Sequence, residues 1–103
     1  MPEIGELYTS ATWVVKEGKE SEFVAAWTAF ADWTARSAPG AGVAHLLQEV
    51  DQPRHFLSFG PWASQEAIQR WRGTPEFQDF LTRARQLCEE VRPRTLSLVA
   101  LSS

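Results

Sequence analysis

Two histidines, His45 and His55, are the side chains of this sequence whose ordinary titration lies nearest neutrality. A histidine on a pocket strand can take the proton of a phenol or enol. The anion so formed can give an electron to dioxygen, which the neutral molecule does only slowly. His45 alternates with Val43 and Leu47 on an apolar face and is the first choice of base. His55 follows Arg54 at a strand start and is the second. A strand-end histidine bonded to backbone or water is the plainer reading of either. Trp71 can hold a flat ligand by stacking and donate its indole N–H, or simply pack between helices. Arg72, beside it, suits a phenolate or carboxylate, or a solvated helix end. No metal site is expected, because the two histidines have no familiar ligand spacing and Cys88 lies on an apolar stripe. No glycine-rich phosphate loop supports nucleotide or flavin.

The elements that must position these residues follow from periodicity. Residues 8–16 alternate as a strand, with Ala11, Trp13 and Val15 on one face and Tyr8, Thr12 and Val14 on the other. Residues 19–37 form an amphipathic helix whose buried stripe is Phe23, Trp27, Phe30 and Trp33 or Thr34. Ala38-Pro39-Gly40 breaks it. Residues 42–50 and 54–59 read as two strands joined by Asp51-Gln52-Pro53, an antiparallel hairpin. Gly60-Pro61 should stop the second of them. Ser64 caps a short helix ending at Gly73, and Thr74-Pro75-Glu76 starts another. Its stripe runs from Phe77 through Phe80, Leu81, Ala84, Leu87 and Cys88 to Val91, with Arg92-Pro93 as its stop. Residues 94–101 are the last strand, and residues 1–7 a loose arm.

Strand, helix, two strands, helix pair and strand make the βαββαβ, ferredoxin-like α+β arrangement, a four-stranded antiparallel sheet with helices on one face. The 103 residues form a single domain, and a net charge of −3 argues against a nucleic-acid partner. No stretch is apolar enough to span a membrane, the N-terminus does not read as a signal peptide, and one cysteine fits a reducing cytoplasm. Five tryptophans and six phenylalanines are unusual in a chain of this size; a plain aromatic core is the simpler reading, and the aromatic stripe of the first helix, richer than a small core needs, keeps a pocket for a flat ligand open. The strands carry apolar residues on both faces. Helices cover only one, so a second copy of the sheet is the simplest cover for the other.

The first-strand turn VVKEGKESEF, the paired strands LLQEVDQPRHFLSFGPW, the helix ASQEAIQRW and the restart RGTPEF carry a resemblance over nearly the whole chain. In them the sequence resembles the antibiotic biosynthesis monooxygenase domains of the dimeric α/β-barrel superfamily. The resemblance implies a homodimer with facing sheets and one pocket per subunit between sheet and helices. It places the family's pocket tryptophan at Trp71. The superfamily's haem-degrading branch adds an asparagine and a histidine, at positions that are Ala11 and Leu81 here. The fold and the tryptophan carry over, and the haem chemistry does not.

These readings combine into one expectation. The chain is a cofactor-independent monooxygenase for a small aromatic or polyketide-like molecule, using no haem, flavin or metal. Trp71 positions the ligand, with Phe23, Trp27, Phe30, Arg72 and Phe77 around it, and His45 or His55 is the base. The alternative is a non-catalytic dimeric binding or assembly module, with haem binding or degradation a third reading.

Overall fold

A computed structural model describes residues 2–102 of the chain. In chain order the elements are β1 (Leu7–Val15), α1 (Glu20–Ser37), β2 (His45–Gln48), β3 (His55–Trp62), α2 (Gln65–Arg72), α3 (Pro75–Leu87) and β4 (Cys88–Ser97). The strands form one antiparallel sheet in the order β2-β3-β1-β4. This is the ferredoxin-like arrangement, with the three helices against one face.

Strand alternation decides which side chains meet the helices. Ala11, Trp13 and Val15 of β1 and Phe56 and Ser58 of β3 turn inward and are buried. They pack with Phe23, Ala84, Leu87 and Cys88. Phe23 is fully buried, with ring centroids 5.2 Å from both Trp13 and Phe56. Phe23→Ala is therefore expected to cost about 3–5 kcal/mol of stability, measured by denaturant unfolding, with no specific effect on ligand affinity. Burial also pushes the Cys88 thiol up to about 11, partly offset by Lys16. Two units above the ordinary thiol mean about a hundredfold less thiolate near neutrality. Iodoacetamide at pH 8 is expected to alkylate native Cys88 slowly and the unfolded chain readily.

The helix starts obey their sequence signals. Ser64 Oγ accepts the Ala67 N–H at 3.1 Å, and Thr74 Oγ1 accepts the Phe77 N–H at 3.2 Å, with Pro75 opening α3.

Several boundaries differ from the sequence reading, among them the end of the last strand, which falls at Ser97 rather than at residue 101. β3 does not stop at Gly60-Pro61 but continues to Trp62, pairing Gly60 with Thr9 and Pro61 with Tyr8. The Pro61 carbonyl accepts from Gly42 N at 2.9 Å, on the β2 side. Its missing N–H lies on that same side, beyond the end of β2, so the β1 ladder loses nothing. Gly60 permits a second close approach, since a Cβ there would sit 3.0 Å from that of Ala44. α3 ends at Leu87 rather than at Arg92, and β4 begins at once with Cys88. β4 is an edge strand, where Pro93 is tolerated opposite Ala11. The apolar spacing that reads as one more helical turn is the inward face of a strand, with Val91 beside Trp13. β2 is shorter than residues 42–50, and Ala41 makes only an isolated bridge to Trp62. The N-terminal arm is tied down: Gly5 N–H donates to the Leu98 carbonyl at 2.8 Å and Leu98 N–H to that of Glu6 at 2.9 Å. Met1 of that arm lies outside the described residues.

The second sheet face carries no helix. Its apolar members Leu47, Leu57 and Leu96 are 52%, 39% and 45% exposed. Pairing places Arg92 and Arg94 on the same face as Tyr8, so it is apolar in the middle and charged along β4.

Candidate functional site

Inward-facing strand residues form the floor of a cleft and the helices form its walls. Thr9, Ala11 and Trp13 come from β1, Ser58, Gly60 and Trp62 from β3, and Val91 and Pro93 from β4. α1 contributes Trp27, Phe30, Ala31 and Thr34; α2 ends over the cleft with Trp71 and Arg72; α3 adds Phe77, Phe80 and Leu81. The cleft with the open space at its mouth measures about 780 Å³. A cleft of this kind, apolar with a few polar groups, is the usual form of a small-molecule site.

The aromatic wall is tightly ordered. Phe30 stacks on Phe80 at 4.4 Å with the rings 4° from parallel, and on Trp71 at 5.7 Å. Trp71 also meets Trp62 at 4.8 Å and the edge of Phe77 at 4.7 Å. Gly73 and the Thr74 cap fix this tryptophan at the junction of α2 and α3, where Thr74 Oγ1–H donates to the Trp71 carbonyl at 2.7 Å. The Trp71 indole N–H donates to Thr34 Oγ1 at 3.0 Å. It is therefore committed to α1 rather than free for a ligand, as the sequence reading had allowed.

Of the residues expected on the pocket wall, Trp27, Phe30, Trp71, Arg72 and Phe77 line the cleft, and Phe23 does not. Phe23 sits one helical turn before Trp27 and fills the core instead. The histidines part company with the cleft altogether. His45 pairs with Phe59 and is exposed on the helix-free face, its ring 5.3 Å from that of Phe59. His55 lies in register with Val14, on the same outer face, and is half-buried. Alternation explains both positions: His45 faces outward like Leu47, as its neighbours indicate, but the apolar face they share is the helix-free one. Neither histidine therefore stands on the cleft wall. Among the described lining residues none is Asp, Glu, His, Lys, Tyr or Cys, and Arg72 is the one charged side chain. Its guanidinium also donates to Thr95 Oγ1 at 3.0 Å.

Sequence reading missed the polar lining residues Thr9, Thr34 and Ser58, and Trp62 with them. Thr34 and Ser58 were legible in principle, as polar residues at inward positions of otherwise apolar stripes. Ala11 and Leu81, the apolar substitutes for the haem-degrading branch's asparagine and histidine, both line the cleft. Among the described residues no three of His, Cys, Asp and Glu converge as a metal cluster would. No helix among them is long and apolar enough to cross a membrane.

No curated protein matches the chain. Among solved structures, SnoaB of Streptomyces nogalater, described as a cofactor-independent oxygenase, superposes in a mutant form with a TM-score of 0.86 at 23% identity, over 94% of this chain and 96% of that one. A putative antibiotic biosynthesis monooxygenase from Caulobacter crescentus gives 0.83 at 20% identity, over 94% and 92%. The protein Rv0793 of Mycobacterium tuberculosis gives 0.80 at 19%, over 95% and 99%. At such identities these likenesses concern the fold. The sequence profile of the family described as antibiotic biosynthesis monooxygenase, however, matches residues 7–83, from the first strand of the cleft floor to the helix that closes its wall, and the chain belongs to that family.

Proposed function

We propose that the chain is a cofactor-independent monooxygenase that oxidises a small aromatic or polyketide-like molecule held in the cleft. The observation that carries this is the lining: flat aromatic faces, a few hydroxyls, one guanidinium, and no acid or base besides. Family membership and the fold shared with an oxygenase described as cofactor-independent support it.

Dioxygen is a triplet and reacts slowly with closed-shell molecules. A resonance-stabilised substrate anion removes that barrier by giving one electron. The radical and superoxide then combine into a carbon–oxygen bond. For an activated methylene the balance is R₂CH₂ + O₂ → R₂C=O + H₂O: the substrate loses four electrons, and dioxygen gains them, one oxygen entering the product and one leaving as water. No external reductant is needed. The cleft's part is to bind and orient the anion, exclude bulk water and protect the radical pair. Oxygen uptake with a panel of anthrones and activated phenols tests the reading. One dioxygen consumed per substrate, with one labelled oxygen in the product, is the expected result. No uptake above the uncatalysed rate across the panel rejects it. The same lining also suits a binding module, and unchanged ligand recovered after exposure to oxygen would favour that reading.

The working unit we propose is a homodimer joined through the helix-free sheet face. The exposed leucines 47, 57 and 96 support it, since contiguous apolar patches on a sheet invite a partner, and a second copy offers the same patch by symmetry. Such an interface should bury upwards of about 1,600 Å². Sedimentation at micromolar concentration is expected to give a dimer, and Leu57→Glu a monomer; a monomeric native chain rejects the assignment.

A further inference from the structure

Four tryptophans line the cleft, and three of them, Trp13, Trp62 and Trp71, each direct their single donor at a hydroxyl. Trp13 Nε1–H donates to Ser58 Oγ at 3.1 Å, Trp62 Nε1–H to Thr9 Oγ1 at 2.9 Å, and Trp71 Nε1–H to Thr34 Oγ1 at 3.0 Å. All six residues border the cavity. A hydroxyl has two lone pairs and one hydrogen, so accepting from an indole leaves its own hydrogen to be placed. None of these three hydrogens meets an acceptor among the described residues. Thr28 on the same helix shows the ordinary outcome: its hydroxyl donates back to the Val24 carbonyl at 2.7 Å. Thr34 does not do this. Thr34 and Ser58 are each only 8% exposed, so water competes little for their hydrogens. An oxygen that accepts a hydrogen bond is also polarised into a stronger donor.

The placement of the hydroxyls adds to this. Thr9 pairs with Gly60 and Ser58 with Ala11, so the two hydroxyls are diagonal neighbours on the floor, with only small residues between them. Thr34 stands on the helix wall. We propose that Thr9, Ser58 and Thr34 donate to an ionised ring oxygen of the ligand, and that the site selects phenolates and enolates over neutral aromatics and over carboxylates. An anion entering an apolar cleft loses its hydration and is tolerated only where donors replace it. Hydrogen bonds to a charged acceptor are about twice as strong as neutral ones. The lining holds no carboxylate to repel the ligand, and Arg72 adds a positive charge. The aromatic faces hold the flat ring by its shape and apolar area, which leaves the hydroxyls and Arg72 to meet the charge; a phenolate or enolate oxygen lies directly on the ring so held, whereas a carboxylate sets its charge one bond further out. The inference rests on the oxygenase reading only in taking the substrate anion as the electron donor.

The test is spectrophotometric titration of 4-nitrophenol, whose anion is coloured, with and without excess protein. The expected result is an apparent pKa lowered by about one unit on binding, a tenfold change in the ionisation equilibrium. Ser58→Ala and Thr9→Val are expected to remove at least half of the shift, while Thr9→Ser keeps it. If Ser58→Ala fails to fold, because the Trp13 N–H is left without its acceptor, the Thr9 pair decides alone. Competition against 4-nitrophenol should place naphthalene and benzoate at least tenfold weaker. Failure of 4-nitrophenol to bind, an unshifted or raised pKa, an undiminished shift in Thr9→Val, or tighter binding of naphthalene or benzoate each overturns the proposal. Oxygen uptake separates the two claims. Uptake without a pKa shift removes the hydroxyl donors and leaves the oxygenase; a shift without uptake leaves the donors and removes the oxygenase.

Discussion

Trp71→Ala is expected to reduce oxygen uptake by about a hundredfold or more while costing about 3–5 kcal/mol of stability, and Trp71→Phe to separate the two effects. The alanine removes a ring in contact with Phe30, Trp62 and Phe77, and leaves a gap beside the cleft large enough for a ligand to tumble. Loss of orientation alone costs about two orders of magnitude when reacting groups move by an ångström. It also frees Thr34 from the one donor it accepts. Phenylalanine restores much of the packing but not the N–H. It should recover most of the stability, within about 1.5 kcal/mol of the native chain, yet remain about tenfold slower if the Trp71–Thr34 bond holds the wall in place. A phenylalanine variant with native turnover would reduce Trp71 to a space-filling role. Steady-state uptake and urea unfolding on the same preparations decide the matter.

How far the sequence discloses this site depends on which kind of signal marks each residue. Trp71 is legible because local chemistry surrounds it. A serine cap, a glycine stop and a threonine–proline restart fix its place to one residue, and all of these act within a few positions along the chain. The stripe of Trp27 and Phe30 is legible because helical periodicity needs no partner to be read. Phe23 lies on that same stripe, and nothing local says that the cleft begins only after it; the boundary is set by Trp13 and Phe56 of the sheet, which fill the space below Phe23. The placement of the histidines is hidden for a related reason. Alternation states that His45, Leu47, Leu57 and Phe59 share a face, but when both faces are apolar it does not state which one the helices choose. The end of α3 is hidden because Leu87, Cys88 and Val91 keep helical spacing; Cys88 and Val91 both turn inward on β4 only through the register shift between Val14 and Val15, which no local pattern announces. Pro61 and Pro93 mislead because proline's penalty depends on whether a ladder hydrogen bond is required at that side, which only the finished sheet determines.

The outward histidines lead to the second large effect. Replacing both, as His45→Ala with His55→Ala, is expected to change oxygen uptake by less than about twofold at saturating substrate, whereas pH is expected to change it by about tenfold per unit over the acidic range. A resident base titrating near neutrality would place a break in the pH profile close to 6.5, common to all substrates. The cleft lining offers no such group: Arg72 is its one charged side chain. On the mechanism proposed above the reactive species is the substrate anion, so the rate should follow the anion's fraction. It rises with pH below the bound substrate's pKa and levels above it. The break should then move with the substrate: across a series of phenols or anthrones of graded acidity it should track each compound's own pKa, displaced downward by a constant amount from the pocket's donors. That outcome would assign the proton to water at the open mouth rather than to a side chain. Because the histidines lie on the face assigned to the dimer contact, the variant's sedimentation must be checked first, and uptake compared only where the dimer is retained. A substrate-independent break near 6.5 that disappears in the double variant would restore a histidine to the mechanism, and with His45 lying on the helix-free face it would have to act from the partner subunit or after a rearrangement of the sheet edge.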